Sequence, residues 1–120
     1  MKRDMDLVRS LLLYLEEKAD DQMADIVIEG YDEFTIGYHL ILLYEAGLLE
    51  GEPSVSSTSK RVIRVHPMRL TWQGHDFLAA ARNDTIWQKT KAKAASEAGD
   101  VPFALLKDLL IQTARAYVGL

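Results

Sequence analysis

Tyr38-His39-Leu40-Ile41-Leu42-Leu43-Tyr44-Glu45-Ala46-Gly47-Leu48-Leu49-Glu50 is the stretch that decides the fold. Phe34, Ile36, Leu40, Leu43 and Tyr44 recur at helical spacing, and Asp32 is the expected N-cap. Gly47 can adopt the left-handed conformation that ends such a helix, with Leu48 packing back on it as in a Schellman stop. Leu48-Leu49-Glu50 then predicts one strand and residues 60–65 a second. Between them, residues 53–59 have the serine-rich composition of a hairpin loop, and Pro67 is expected to stop the second strand.

Working outward, Met5, Val8, Leu12 and Leu15, widened by Leu7 and Leu11, predict a helix over residues 4–18. Asp4 and Asp6 favour the positive end of its dipole, and the polar residues 19–22 end it. Ile26-Val27-Ile28, closed by Gly30, reads as a brief strand. Downstream, Thr71 caps a helix reaching about Arg82, with Trp72, Phe77 and Leu78 expected in its core. Asn83-Asp84 marks a break and a fourth helix begins at Ile86 and Trp87, growing polar through Lys89, Lys91 and Lys93. A flexible link is expected over residues 94–100, and Gly99-Asp100-Val101-Pro102 punctuates the start of a last helix over residues 102–118. That helix shows Leu106, Leu109, Leu110, Thr113 and Tyr117 on one side. The fold class is α+β, read as a single domain over residues 1–120.

The order helix, short strand, helix, strand, loop, strand, helix resembles a winged helix with one element missing. Residues 38–50 are similar to the end of the recognition helix in bacterial winged-helix regulators, where glutamate-alanine-glycine-leucine leads into the wing. Leu70-Thr71-Trp72-Gln73-Gly74-His75 resembles the leucine-threonine-x-x-glycine step after the wing. The resemblance covers about residues 5–80, with the later helices as a C-terminal extension over residues 84–118. A closer one spans nearly the whole chain. Met1-Lys2-Arg3-Asp4-Met5-Asp6-Leu7, residues 38–48, residues 70–78, Asp84-Thr85-Ile86-Trp87 and Val101-Pro102-Phe103 are similar to the domain of unknown function 2513 family of bacteria and their phages. That resemblance implies a bacterial or prophage accessory protein and carries over no catalytic or binding residue. The winged-helix pattern also demands a helix and turn before the recognition helix, and only residues 30–34 remain for both.

Charge bears directly on function. Residues 10–59 hold eleven acids against one base, Lys18, whereas residues 60–120 hold ten bases against five acids. Affinity for DNA rests on cations meeting phosphates. The candidate reading helix, residues 32–46, has Asp32, Glu33 and Glu45 but no lysine or arginine, leaving Thr35, Tyr38 and His39 as its polar tools. Lys60, Arg61, Arg64 and Arg69 on the wing are the candidate phosphate contacts, with Lys60, Val62 and Arg64 on one strand face and Arg61, Ile63 and Val65 on the other. The same bases also read as solvating a hairpin and balancing the acid block.

Other chemistries find little footing. There are no cysteines, so disulfides, thiolate zinc sites and thiol catalysis are excluded. No pair among His39, His66 and His75 has the i, i+4 spacing of a helical zinc site, and His39 reads instead as bonding the wing or the first helix's carboxylates. No nucleophile elbow, phosphate-cradling loop or dinucleotide fingerprint is present, so no enzyme, cofactor or metal is expected. The tyrosines and tryptophans are spaced as packing groups rather than as a base-stacking platform. No apolar run approaches the roughly 18 residues of a membrane span, and the opening residues lack a secretion signal, so the expected compartment is the cytoplasm. Two functions remain: a module binding a basic protein partner through its acid surface, or a DNA-binding regulator working through the wing. The last helix's stripe either closes its own core or forms a homodimer.

Overall fold

The computed structural model describes residues 1–97 and 102–119. Its elements are α1 (Met5–Glu17), α2 (Glu33–Glu45), β1 (Leu49–Val55), β2 (Val62–Leu70), α3 (Trp72–Ala81), α4 (Asp84–Glu97) and α5 (Phe103–Val118). The class is α+β, five helices and one antiparallel hairpin among the described residues, an arrangement consistent with a winged helix. The chain clusters into two compact units, Met1–His75 and Asp76–Leu120.

In the first unit α1 buries Leu7, Val8, Leu11, Leu12 and Leu15, each contributing on the order of 1.5–3 kcal/mol of hydrophobic stabilisation. Asp4 caps it, its carboxylate accepting from the N–H groups of Asp6 (2.9 Å) and Leu7 (3.2 Å). Past its end, the Lys18 ammonium donates to the carbonyls of Gln22 and of Met68 in β2, tying the polar turn to the hairpin.

Residues 26–28 do not form the expected strand. Their segment meets β2 through a single bond, Ala24 N–H to the Pro67 carbonyl (2.9 Å), and Pro67 has no N–H to return. A ladder needs that exchange. Ile26 is nevertheless buried, while Val27 is 80% exposed.

The decisive stretch folds as its residues dictate. Asp32 caps α2 through the Thr35 N–H (2.7 Å). At the other end Gly47 takes φ +72°, its N–H bonds the Tyr44 carbonyl, and the Leu48 N–H bonds the Leu43 carbonyl, completing a Schellman motif. Both strands run longer than expected. Pro53 pairs with Val65 inside β1, and Pro67 lies within β2 opposite Gly51 rather than stopping it. A two-stranded sheet is all edge, where a missing N–H is tolerated, and the register shifts at Glu50/Gly51 beside Pro67. A second shift at Ser54/Val55 interrupts simple alternation, so Val65 is buried while Arg61 and Ile63 are exposed.

The start of α3 is bolted to the end of α2. The Thr71 hydroxyl donates to the Gly47 carbonyl and accepts from the Gly74 N–H (3.1 Å), and the Thr71 N–H reaches the Leu48 carbonyl (3.1 Å). A Cβ on Gly74 would strike the Leu48 carbonyl oxygen, so only glycine permits this approach. With Thr71 and Gly74 facing Leu48, Trp72 is turned outward and is 79% exposed, contrary to the expectation that it joins the core.

The second unit packs around Phe77, which meets Trp87 edge-on at 6.4 Å and Phe103 at 5.0 Å between ring centroids. Phe77, Leu78, Ala81 and Trp87 are fully buried. Asn83 caps α4 through the Ile86 N–H (3.0 Å), and the buried Thr90 hydroxyl bonds the Ile86 carbonyl. α4 continues to Glu97, so the expected link begins later than Ala94, which is buried within the helix. Residues 99–101 of the expected Gly-Asp-Val-Pro punctuation lie outside the described residues, and Pro102 occupies the N-cap of α5.

Candidate functional site

A groove of about 920 Å³ runs between α2 and the β2 side of the hairpin, wholly within the first unit. Its α2 wall is set by helical geometry. Glu33, Gly37, Ile41 and Glu45 all line the groove and follow one another at intervals of four, the spacing that places side chains in a row. Gly37 leaves a notch in that row: a Cβ built on it meets nothing within 4 Å. Glycine inside a helix costs about 1 kcal/mol relative to alanine, and the chain's own packing gives no reason to accept that cost here.

Charges divide between the walls. Asp32, Glu33 and Glu45 come from α2 and its cap, with Asp25 from the extended segment, whereas Arg61 and Arg64 come from the hairpin. All six side chains are exposed and, among the described residues, no ion pair joins them. Phe34 (70% exposed) and Ile63 (51% exposed) add apolar surface to the lining.

The opposite side of α2 is closed by a polar junction with α1. His39 is 1% exposed. Its Nε2 accepts from the Asp4 N–H at 2.8 Å, and its Nδ1 lies 2.9 Å from the Thr35 carbonyl, which can only accept. That pairing uses Nδ1 as the donor and Nε2 as the acceptor. The Tyr31 hydroxyl donates to the other Asp4 carboxylate oxygen at 2.8 Å. That bond, with partial burial and the charges of Asp4 and Asp6, raises the Tyr31 pKa above its ordinary 10.0. The expectation that His39 serves as an outward polar tool of α2 is thus corrected, and its partner is the backbone N–H of α1's cap rather than a carboxylate.

The four hairpin bases are all exposed. Lys60 sits in the turn with φ 55°, where Ser56 N–H bonds the Arg61 carbonyl (2.8 Å) and Lys60 N–H bonds the Ser56 carbonyl (3.0 Å). Arg61 and Arg64 line the groove. Arg69 is separate from them: its Nε and Nη2 both reach Glu50 Oε2, at 3.0 and 2.8 Å. An exposed pair of this kind contributes about 0–1 kcal/mol. Of the eleven acids in residues 10–59, ten are exposed and Glu16 is half-buried.

The leucines of the last helix's stripe are covered within the chain, and its far end is open. Leu106, Leu109 and Leu110 are buried, and the Thr113 hydroxyl bonds the Leu109 carbonyl (2.8 Å). Tyr117 is 53% exposed, with the Lys89 ammonium 5.5 Å from its ring centroid. His66 bonds Ser54 across the hairpin (3.2 Å) and His75 is exposed. No helix of the described residues is long and apolar enough to cross a membrane.

The family described as Hypothetical protein (DUF2513) matches residues 2–100. The chain belongs to it. A protein of Haemophilus influenzae (strain ATCC 51907 / DSM 11121 / KW20 / Rd), described as "Uncharacterized protein", is 35% identical over 111 residues, covering 91% of this chain and 92% of its own length. No solved structure matches this DUF2513 chain. The match embraces the groove-lining residues 24–67.

Proposed function

We propose that this protein is a non-enzymatic interaction module of the cytoplasm whose first unit binds a positively charged protein partner through the acidic α2 face. One observation carries the reading: the helix standing where a winged helix would read DNA exposes Asp32, Glu33 and Glu45 and has no lysine or arginine. Its remaining polar reach is cut further because His39 is buried and spent on α1. The element that would complete a helix-turn-helix is also missing, since residues 18–32 contain no helix. Such a surface repels a polyanion and steers a cationic partner toward it.

A second reading, phosphate contact through the hairpin, draws on Lys60, Arg61 and Arg64, which are exposed and make no ion pair with a described residue. Titrating a labelled DNA duplex at low salt separates the two. The interaction-module reading expects no saturable binding at low ionic strength. Micromolar binding that disappears in both Lys60→Ala and Arg64→Ala would replace it with the regulator reading.

A further inference from the structure

Building on the interaction-module reading, we infer that the groove beside α2 is a slot for a peptide segment of the partner, which lies directly on the helix backbone at Gly37 and places cations against Glu33 and Glu45. The argument begins with the notch. Glycine is retained in a helix interior where a backbone or ligand must come close. In the direction a side chain at Gly37 would take, this chain offers no contact, since an added Cβ there meets nothing within 4 Å beyond the helix itself. The close approach therefore has to come from outside. Ile41, next in the row and half-buried, offers an apolar contact beside the notch.

Charge names the occupant. Glu33 and Glu45 bracket the notch within the same row, and Asp25 and Asp32 add to that side, all exposed. A partner segment with one large apolar residue between two basic ones satisfies this wall. The twelve-residue separation of the two glutamates spans about 18 Å at about 1.5 Å per residue. An extended peptide covers that distance in about five or six residues at about 3.3 Å each. Arg61 and Arg64 on the facing wall accept a carboxylate from the same segment, which fixes its direction. A concave site of about 920 Å³ suits a short segment better than a flat protein face.

The test is selection of a displayed library of random dodecapeptides on the intact, full-length chain. Enriched sequences are expected to carry a large apolar residue flanked by lysine or arginine at that spacing. Gly37→Leu should fill the notch and weaken the enriched peptides by roughly tenfold or more, while Glu29→Lys, exposed but outside the groove, should change them by less than about twofold. Glu33→Lys should weaken them in the same way as Gly37→Leu. Because the notch is empty, Gly37→Leu keeps the fold, which far-ultraviolet circular dichroism verifies. Basic peptides that bind Gly37→Leu as well as the parent but lose affinity in Glu29→Lys would overturn the slot while leaving the acidic-surface reading intact. Failure of any sequence to enrich overturns the slot, and joined to low-salt duplex binding it overturns both.

Discussion

On its inner side α2 presents His39 and Leu43, both buried, and His39 has both ring nitrogens bonded within the chain. On its groove side the same helix presents Glu33, Gly37, Ile41 and Glu45, with open space over the glycine and carboxylates that pair with nothing across the groove. One side is finished by folding and the other is left incomplete. A helix residue that costs stability without a packing partner in the free chain points to a requirement that folding alone does not impose. Substitutions on the finished side should therefore only destabilise, whereas the groove side should allow a gain in stability.

The largest effect belongs to the finished side. His39→Ala removes the acceptor of the Asp4 N–H and leaves a cavity beneath α1, and should lower unfolding free energy by about 2–4 kcal/mol in urea titrations of the intact chain. A loss below about 0.5 kcal/mol would mean that water or a neighbour replaces the ring, and the contrast between the two sides would fail. Next comes Gly74→Ala, expected to cost about 1–3 kcal/mol, because the new methyl drives the start of α3 away from Leu48.

These two positions also show what could be read from the sequence. The stops and caps were legible because each is local: Asp32, Gly47, Thr71 and Asn83 all sit where their side-chain chemistry or backbone freedom predicts. The expected strand at residues 26–28 depends on a non-local partner, and the backbone bond from this segment to β2 falls at Ala24, before those residues, on a proline that cannot return it. Pro67 departs in the other direction, since whether a proline ends a strand depends on whether that strand has a neighbour on its outer side. Trp72 was misplaced because its direction follows from Thr71 and Gly74 docking on Leu48, a contact the sequence does not display. The groove was invisible as a site because its walls come from segments around Asp25, Glu33–Glu45 and Arg64. One signal could have been taken: a glycine interrupting an otherwise strong helical run at Gly37.

Gly37→Ala sharpens the contrast more than any other change. In the free protein it should raise stability by about 0.5–1 kcal/mol, since alanine restores helix propensity and meets no neighbour. Calorimetric melting of parent and variant measures this directly. A destabilised Gly37→Ala would show that the notch is filled in solution by the chain itself, and the groove side would then be as finished as the other.

The smallest effects are electrostatic and set the pH limits of the two sides. Asp32, at the groove end of α2, has its pKa lowered from the ordinary 3.8 by its hydrogen bonds to the side chain and backbone of Thr35. The folded state thus holds this carboxylate charged more tightly than the unfolded chain does. Its contribution is complete above the ordinary pKa and is lost as pH falls through the depressed one, below about pH 4. Tyr31, at the junction with α1, behaves oppositely: its pKa is raised from 10.0, so its contribution is complete below that value and is lost as pH rises through the folded pKa. Asp32→Asn keeps a good cap but removes the titrating group, so helical signal at neutral pH should hold while its decline in acid becomes shallower. Tyr31→Phe should flatten the alkaline decline and leave the acid one alone. If Asp32→Asn altered the alkaline limb instead, these two neighbouring groups at the start of α2 would be coupled, and the separation between its finished and open sides would have to be abandoned.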